Sequence, residues 1–269
     1  MRKLWIFGDS FAYVPDSTHP SIWQLRLSEQ FDSLEICAGP GTSFDWIWAE
    51  LYKYQDEIKS TDQVVVVLTE PSRHWFFKDI PGLTHAKILN LDEYVDKEQA
   101  TALEYYLRYI QRDDLDELNV MYKLGWLSQI ANRKRWNKPI LLSGFSRPTY
   151  NPSQFPNLIG CIGNLTLASV EEVIDHAKYT EFFHARDFRY NHLCLDNHKV
   201  LADKVIMAVA TGAPINLTTG FAKNILSDEN VSDPNWIQQQ VDPTLFKELQ
   251  EERAKGPLKN WAKRIGLVE

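Results

Sequence analysis

The chain has 269 residues, 44% of them hydrophobic and 24% charged, enough apolar material for a sizeable core, as one α/β domain or one domain plus an appendage. A formal net charge of −7 argues against a broad nucleic-acid surface, which needs a basic stripe, and Arg133-Lys134-Arg135 reads as a solvated helix end. No apolar run approaches membrane-spanning length, the four-residue run near the start is too short for a signal peptide, and three cysteines without paired spacing (Cys37, Cys161, Cys194) suit a cytoplasmic setting with reduced thiols.

Residues 3–7 read as a buried strand that stops at Gly8-Asp9-Ser10. Ile22, Trp23, Leu25, Leu27 and Phe31 stand roughly at helical spacing, so 21–30 is an expected helix with Ser21 near its N-cap. Residues 34–38 form a short second strand ending in Gly39-Pro40-Gly41, a turn that serves backbone geometry. Thr42 or Ser43 caps the next helix, 44 to about 58, with Trp46, Ile47, Leu51 and Tyr54 on its apolar side. The run Val64-Val65-Val66-Val67-Leu68 has no polar alternation, as a strand covered on both faces requires.

After Thr69-Glu70-Pro71-Ser72-Arg73, residues 75–90 look irregular, and long loops at the carboxyl edge of a sheet often carry function. Helices are expected at 96–111 and 115–135, with Asp113-Asp114 between them or at the second N-terminus, then a fourth strand at 139–144, a loop over 147–164 and a short helix at 169–176. The last helix of the core spans about 196–210 and is ended by Gly212 and Pro214. Strands alternating with helices imply a parallel sheet with helices on both faces. Residues 213–269 change character, with helical patches separated by Asp242-Pro243 and Gly256-Pro257. They read as an extension packing on the core or on a partner, which divides the chain into domains at 1–212 and 213–269.

Ser10 sits where open α/β sheets keep their ligands, at the carboxyl end of a strand, and is either a candidate nucleophile or a cap of the following helix. Leu4-Trp5-Ile6-Phe7-Gly8-Asp9-Ser10 resembles the first block of the SGNH, or GDSL-type, hydrolases. That resemblance implies a flavodoxin-like three-layer α/β/α sandwich and predicts further blocks in fixed order. The Gly whose N–H helps hold an oxyanion matches Gly41. The third block, normally Gly-x-Asn-Asp, is replaced by Thr69-Glu70-Pro71-Ser72-Arg73, so Thr69, Ser72 or Arg73 stands in for the missing Asn. A guanidinium there suits an oxyanion or an anionic substrate, or else Arg73 pairs with Glu70 or Asp45. In the last block His192 takes the place of the general base and His198 that of the family's second His. Arg189 stands where the triad Asp is expected, and Asp187, two residues further back, is the substitute.

The finer pattern at residues 40–46, 69–73 and 192–198 is similar to SGNH-like proteins of large tailed bacteriophages. The implied activity is hydrolysis of a small ester, such as a carbohydrate O-acetyl group. Ser10 is the nucleophile, and the N–H groups of Ser10 and Gly41 hold the oxyanion, with Asp9 and His198 behind them. It needs no metal or organic cofactor, nucleic acid or membrane. The alternative is a weak or inactive scaffold that binds a protein or a sugar, to which nine Trp and the extension are suited, the latter also for self-association.

Overall fold

The computed structural model describes residues 2–14, 22–75, 101, 104–106, 108–144, 154–165, 193 and 195–221. Ser21, the loop from 76, part of the expected 96–111 helix, the 169–176 helix and the helical patches beyond 221 lie outside the described residues. The chain divides into two compact units, Met1–Ala168 with His198–Phe221, and Ser169–Asn197 with Ala222–Glu269. The second is described only at residues 193 and 195–197.

Four strands form a parallel sheet: β1 Lys3–Gly8, β2 Ser33–Ala38, β3 Gln63–Leu68 and β4 Ile140–Ser143, in the order β2-β1-β3-β4. Trp5 stands in register with Glu35 on one side and Val64 on the other, and Val66 with Leu141. Every residue of β3 is buried, which is why its sequence is an unbroken apolar run. Trp5, Phe7, Val64, Val66 and Leu141 point to one face. They share a core with helices α2 (Phe44–Tyr54) and α3 (Asp113–Lys134) through Ile47, Leu51, Val120, Leu124 and Leu127.

The alternate residues Leu4, Ile6, Val65, Val67, Ile140 and Leu142 are just as buried but lie outside that cluster. The opposite layer belongs to α1 (Trp23–Ser28) and α4 (Leu195–Thr211), whose buried side chains include Trp23, Leu27, Leu201 and Val205. These two helices are joined by the Trp23 N–H donating to His198 Nδ1 at 3.3 Å and by an Arg26–Asp203 pair at 3.7 Å. This is the three-layer α/β/α arrangement, in the strand order of flavodoxin-like sheets.

Two local features depart from the sequence reading. Helix α2 ends at Tyr54 rather than near 58; a turn follows, in which the N–H groups of Glu57 and Ile58 both reach the Tyr54 carbonyl and Ile58 is driven into the core. The stretch 147–164, read as loop, contains the short strand β5 (Cys161–Ile162), which pairs in parallel with β6 (Ile215–Asn216). Just before it, Ile159 bridges Ile140, so the sheet is extended beyond β4. Strands of two residues leave no alternation for a sequence to display. Of the two placements the sequence allows for Asp113-Asp114, the structure has the helix N-terminus: α3 begins at Asp113, and Asp113, Asp114 and Asp116 occupy its first turn, where negative charge suits the helix dipole.

Candidate active site

The carboxyl ends of β1 and β3 meet where the strand order reverses, which is the ligand-binding crevice of open α/β sheets. The chain leaves β1 through a tight turn that needs Gly8. A Cβ at Gly8 would stand 2.7 Å from Ala12 Cβ and 2.8 Å from Val67 Cβ, so only a residue without a side chain lets the turn fold back against β3. Beside it, a Cβ at Gly144, at the end of β4, would meet the Leu68 carbonyl at 2.9 Å and the Phe11 ring at 3.3 Å. Ser10 lies in this turn and is buried.

Asp9 organises the turn. Its carboxylate is fully buried, and Oδ1 accepts from the Phe11 N–H at 3.0 Å. Its carbonyl accepts from the N–H groups of Ala12 and Tyr13, both at 3.0 Å. Arg73 Nη1 donates to Asp9 Oδ2 at 3.2 Å and to Thr69 Oγ1 at 2.7 Å. Arg73 is itself buried, so this is an interior ion pair joining the end of β1 to the loop after β3. The sequence reading paired Arg73 with Glu70 or Asp45, or aimed it at an oxyanion. The structure gives it Asp9, while Asp45 takes Lys123 from α3. Thr69 is buried and Ser72 half-buried in the same loop.

The loop after β2 is fastened to the same place. Gly41 has a φ of 70°, a left-handed conformation that favours glycine. Thr42 is buried and its hydroxyl lies 3.1 Å from the carbonyls of both Gly8 and Gly39. Thr42 therefore ties the Gly41 turn to the last residue of β1, and Ser43 is the cap of α2, accepting from the Trp46 N–H at 3.2 Å. A third set of anchors was not singled out in the sequence. From α1, Trp23 Nε1 donates to the Phe11 carbonyl at 3.0 Å, and Gln24 Nε2 donates to the carbonyls of Phe11 and Ala12 at 3.1 and 3.0 Å. The one legible signal was a glutamine set between apolar residues in the first turn of a helix.

His198 lies in the first turns of α4 and accepts at Nδ1 from the Trp23 N–H, a first-turn donor of α1. The residue before Trp23, Ile22, has no side chain able to cap, so His198 serves that end of the helix from outside. His192, Asp187 and Arg189 lie outside the described residues. Neither described cysteine is built as a nucleophile. Burial pushes the Cys37 thiol up to about 12, and burial pushes Cys161 up to about 11 against the N–H groups of Ser143 and Cys161 itself. Among the described residues, no group of three or more His, Cys, Asp or Glu side chains is placed to hold a metal.

No model of a known protein family matches the chain, and no curated protein matches it. Among solved structures it is similar to a member of the lipolytic protein G-D-S-L family from Veillonella parvula, with 11% identity and a TM-score of 0.28. The match covers 54% of this chain and 58% of that one, so the chain spans little more than half the length of its structural neighbour. Among the described residues no helix is long and apolar enough to cross a membrane.

Proposed function

We propose that the chain is a serine hydrolase of the SGNH type acting on a small ester, with carbohydrate O-acetyl groups as the substrate class. The observation that carries this reading is the gathering of two loops and helix α1 around the turn that holds Ser10. The Thr42 hydroxyl meets the carbonyl of Gly8, two residues before Ser10, Arg73 grips Asp9, and Gln24 holds Phe11 and Ala12. A nucleophile needs a fixed backbone, and this turn is fixed on every side.

In this reading Ser10 attacks the ester carbonyl and passes its proton to His192, which returns it to the leaving alcohol. Asp187 holds the imidazole in the required tautomer. The developing oxyanion is met by the N–H groups of Ser10 and Gly41, with Thr69, Ser72 or Arg73 supplying the third donor. Water then releases the acyl group by the reverse sequence of proton transfers.

A second reading, a binding protein on the same scaffold, draws support from Arg73. Its Nη1 is committed to Asp9 and Thr69, which suits architecture better than a transient charge. A fluorophosphonate probe separates the two. The hydrolase reading expects labelling of the folded protein that disappears in Ser10→Ala while the melting temperature stays the same. A folded wild type that takes no label leaves the binding protein. For the triad, Asp187→Ala is expected to lower turnover of a nitrophenyl acetate-type ester by a factor on the order of a hundred, and Arg189→Ala to change it little.

A further inference from the structure

The turn that holds Ser10 is clamped at both ends. At one end Asp9 collects its N–H groups. The Phe11 N–H reaches Asp9 Oδ1, and those of Ala12 and Tyr13 reach the Asp9 carbonyl, all at 3.0 Å. At the other end the carbonyls of the same three residues converge on a single atom, Gln24 Nε2, at 3.1, 3.0 and 3.5 Å. Peptide dipoles that share a direction gather partial negative charge where their carbonyls meet, and an amide NH2 group answers it without a net charge. The Phe11 carbonyl accepts a second time, from Trp23 Nε1 at 3.0 Å. The helix that supplies both donors is itself registered on α4, through the Trp23 N–H and His198.

Gln24 is 2% exposed and lies on the inner side of α1 with Trp23 and Leu27. Its neighbours settle its orientation, since the reversed amide would set Oε1 against three carbonyl oxygens. Oε1 is therefore turned away from the turn, and it is buried with no hydrogen-bond partner among the described residues. An acceptor buried in that way opposes folding. A side chain kept half-satisfied in the interior calls for a role beyond packing.

We propose that Gln24 is a positioning residue of the candidate active site: its amide fixes the backbone of residues 11–13, and through it the direction in which Ser10 presents its hydroxyl. The inference rests on the hydrolase reading of Ser10. A reacting group misplaced by about 1 Å loses on the order of a hundredfold in rate, so a loosened turn reacts slowly while the fold persists. The test is the rate at which a fluorophosphonate labels Ser10 in the full chain, with urea midpoints measured beside it. Gln24→Met keeps the bulk and removes the donor, and is expected to label at least about tenfold more slowly than wild type. On a nitrophenyl acetate-type ester the loss is expected in kcat, with KM little changed. Asp62→Asn is the stability control, because Asp62 binds the Lys3 N–H and the Trp5 indole at the amino end of the sheet. It is expected to lose stability and to label at the wild-type rate. Gln24→Glu turns a carboxylate toward three carbonyls, which together with burial raises its pKa, and once protonated it regains one O–H donor. The ratio of its labelling rate to that of wild type is expected to be lowest near about pH 8 and to climb as pH falls to about 5, a recovery that a packing defect does not show. A wild type that takes no label overturns the hydrolase reading and this inference with it. A labelled wild type with Gln24→Met equally fast, or a Gln24→Glu ratio that is flat with pH, overturns this inference alone. Loss of folded structure in both Gln24 variants also overturns it, since Gln24 would then serve stability only.

Discussion

Each end of the parallel sheet is tied by a buried aspartate, and the two knots are made differently. At the amino end Asp62 accepts from the Lys3 N–H at 3.0 Å, the Lys59 N–H at 3.0 Å and Trp5 Nε1 at 3.2 Å. At the carboxyl end Asp9 accepts from the Phe11 N–H and from the guanidinium of Arg73. Asp62 is satisfied by neutral donors that the chain presents anyway. Asp9 required the burial of a second, opposite charge. An interior ion pair returns little net stability, because desolvating two charges offsets their attraction, yet losing one partner strands the other. The end that is expensive to build is the one that holds Ser10 and the Gly41 turn.

The comparison can be broken most sharply at Asp9. Asp9→Ala leaves the Arg73 charge buried without its carboxylate and is expected to cost about 3–5 kcal/mol, read by urea denaturation. The double variant Asp9→Asn with Arg73→Met is expected to recover part of that loss, since no uncompensated charge remains. If the double variant is as unstable as Asp9→Ala, the pair is not the source of the penalty.

A smaller effect is expected at Asp62. Asp62→Asn keeps the shape but weakens three hydrogen bonds, and about 2 kcal/mol is the expected loss. The pH dependence has a definite sign. Burial alone would push the Asp62 carboxyl up, but the N–H groups of Lys59 and Lys3, the Trp5 indole and the nearby Lys59 charge together hold it below the ordinary carboxylate value. Its contribution is therefore full above the unfolded value of about 4 and is lost as pH falls through the lower folded value. Plots of stability against pH should converge for wild type and Asp62→Asn at the acid end. Curves that stay parallel below pH 4 would show that Asp62 does not titrate with folding. The smallest effect is at His198, where His198→Ala removes the acceptor at the start of α1 and is expected to cost about 1 kcal/mol in the same assay.

The four main strands and helices α1 to α4 were legible because each is an apolar run or an apolar face of ordinary length. Ser10, Gly41, Thr69 and Arg73 were legible as positions, since each follows a strand that the run of valines or its like announces. What they bond to was not. Arg73 and Asp9 are 64 residues apart, and nothing local distinguishes Asp9 from Glu70 or Asp45 as a partner. The reach of Thr42 back to Gly8 is hidden for the same reason, and both Thr42 and Ser43 have the chemistry of a helix cap. Strands β5 and β6 were invisible because tertiary pairing, not local pattern, creates them.

The strand order also has a consequence for how the chain is made. Strand β1 is flanked by β2 and β3, yet it is synthesised before either. Its apolar residues Leu4 to Phe7 must wait for the valines of β3, about sixty positions downstream, before both edges are occupied. At ribosomal speeds of roughly 5–20 residues per second that interval is roughly 3–12 s. Through that time β1 is an unpaired hydrophobic edge, the kind of segment chaperones hold. Slowing translation between residues 38 and 63 would lengthen that exposure without altering a single contact in the finished fold.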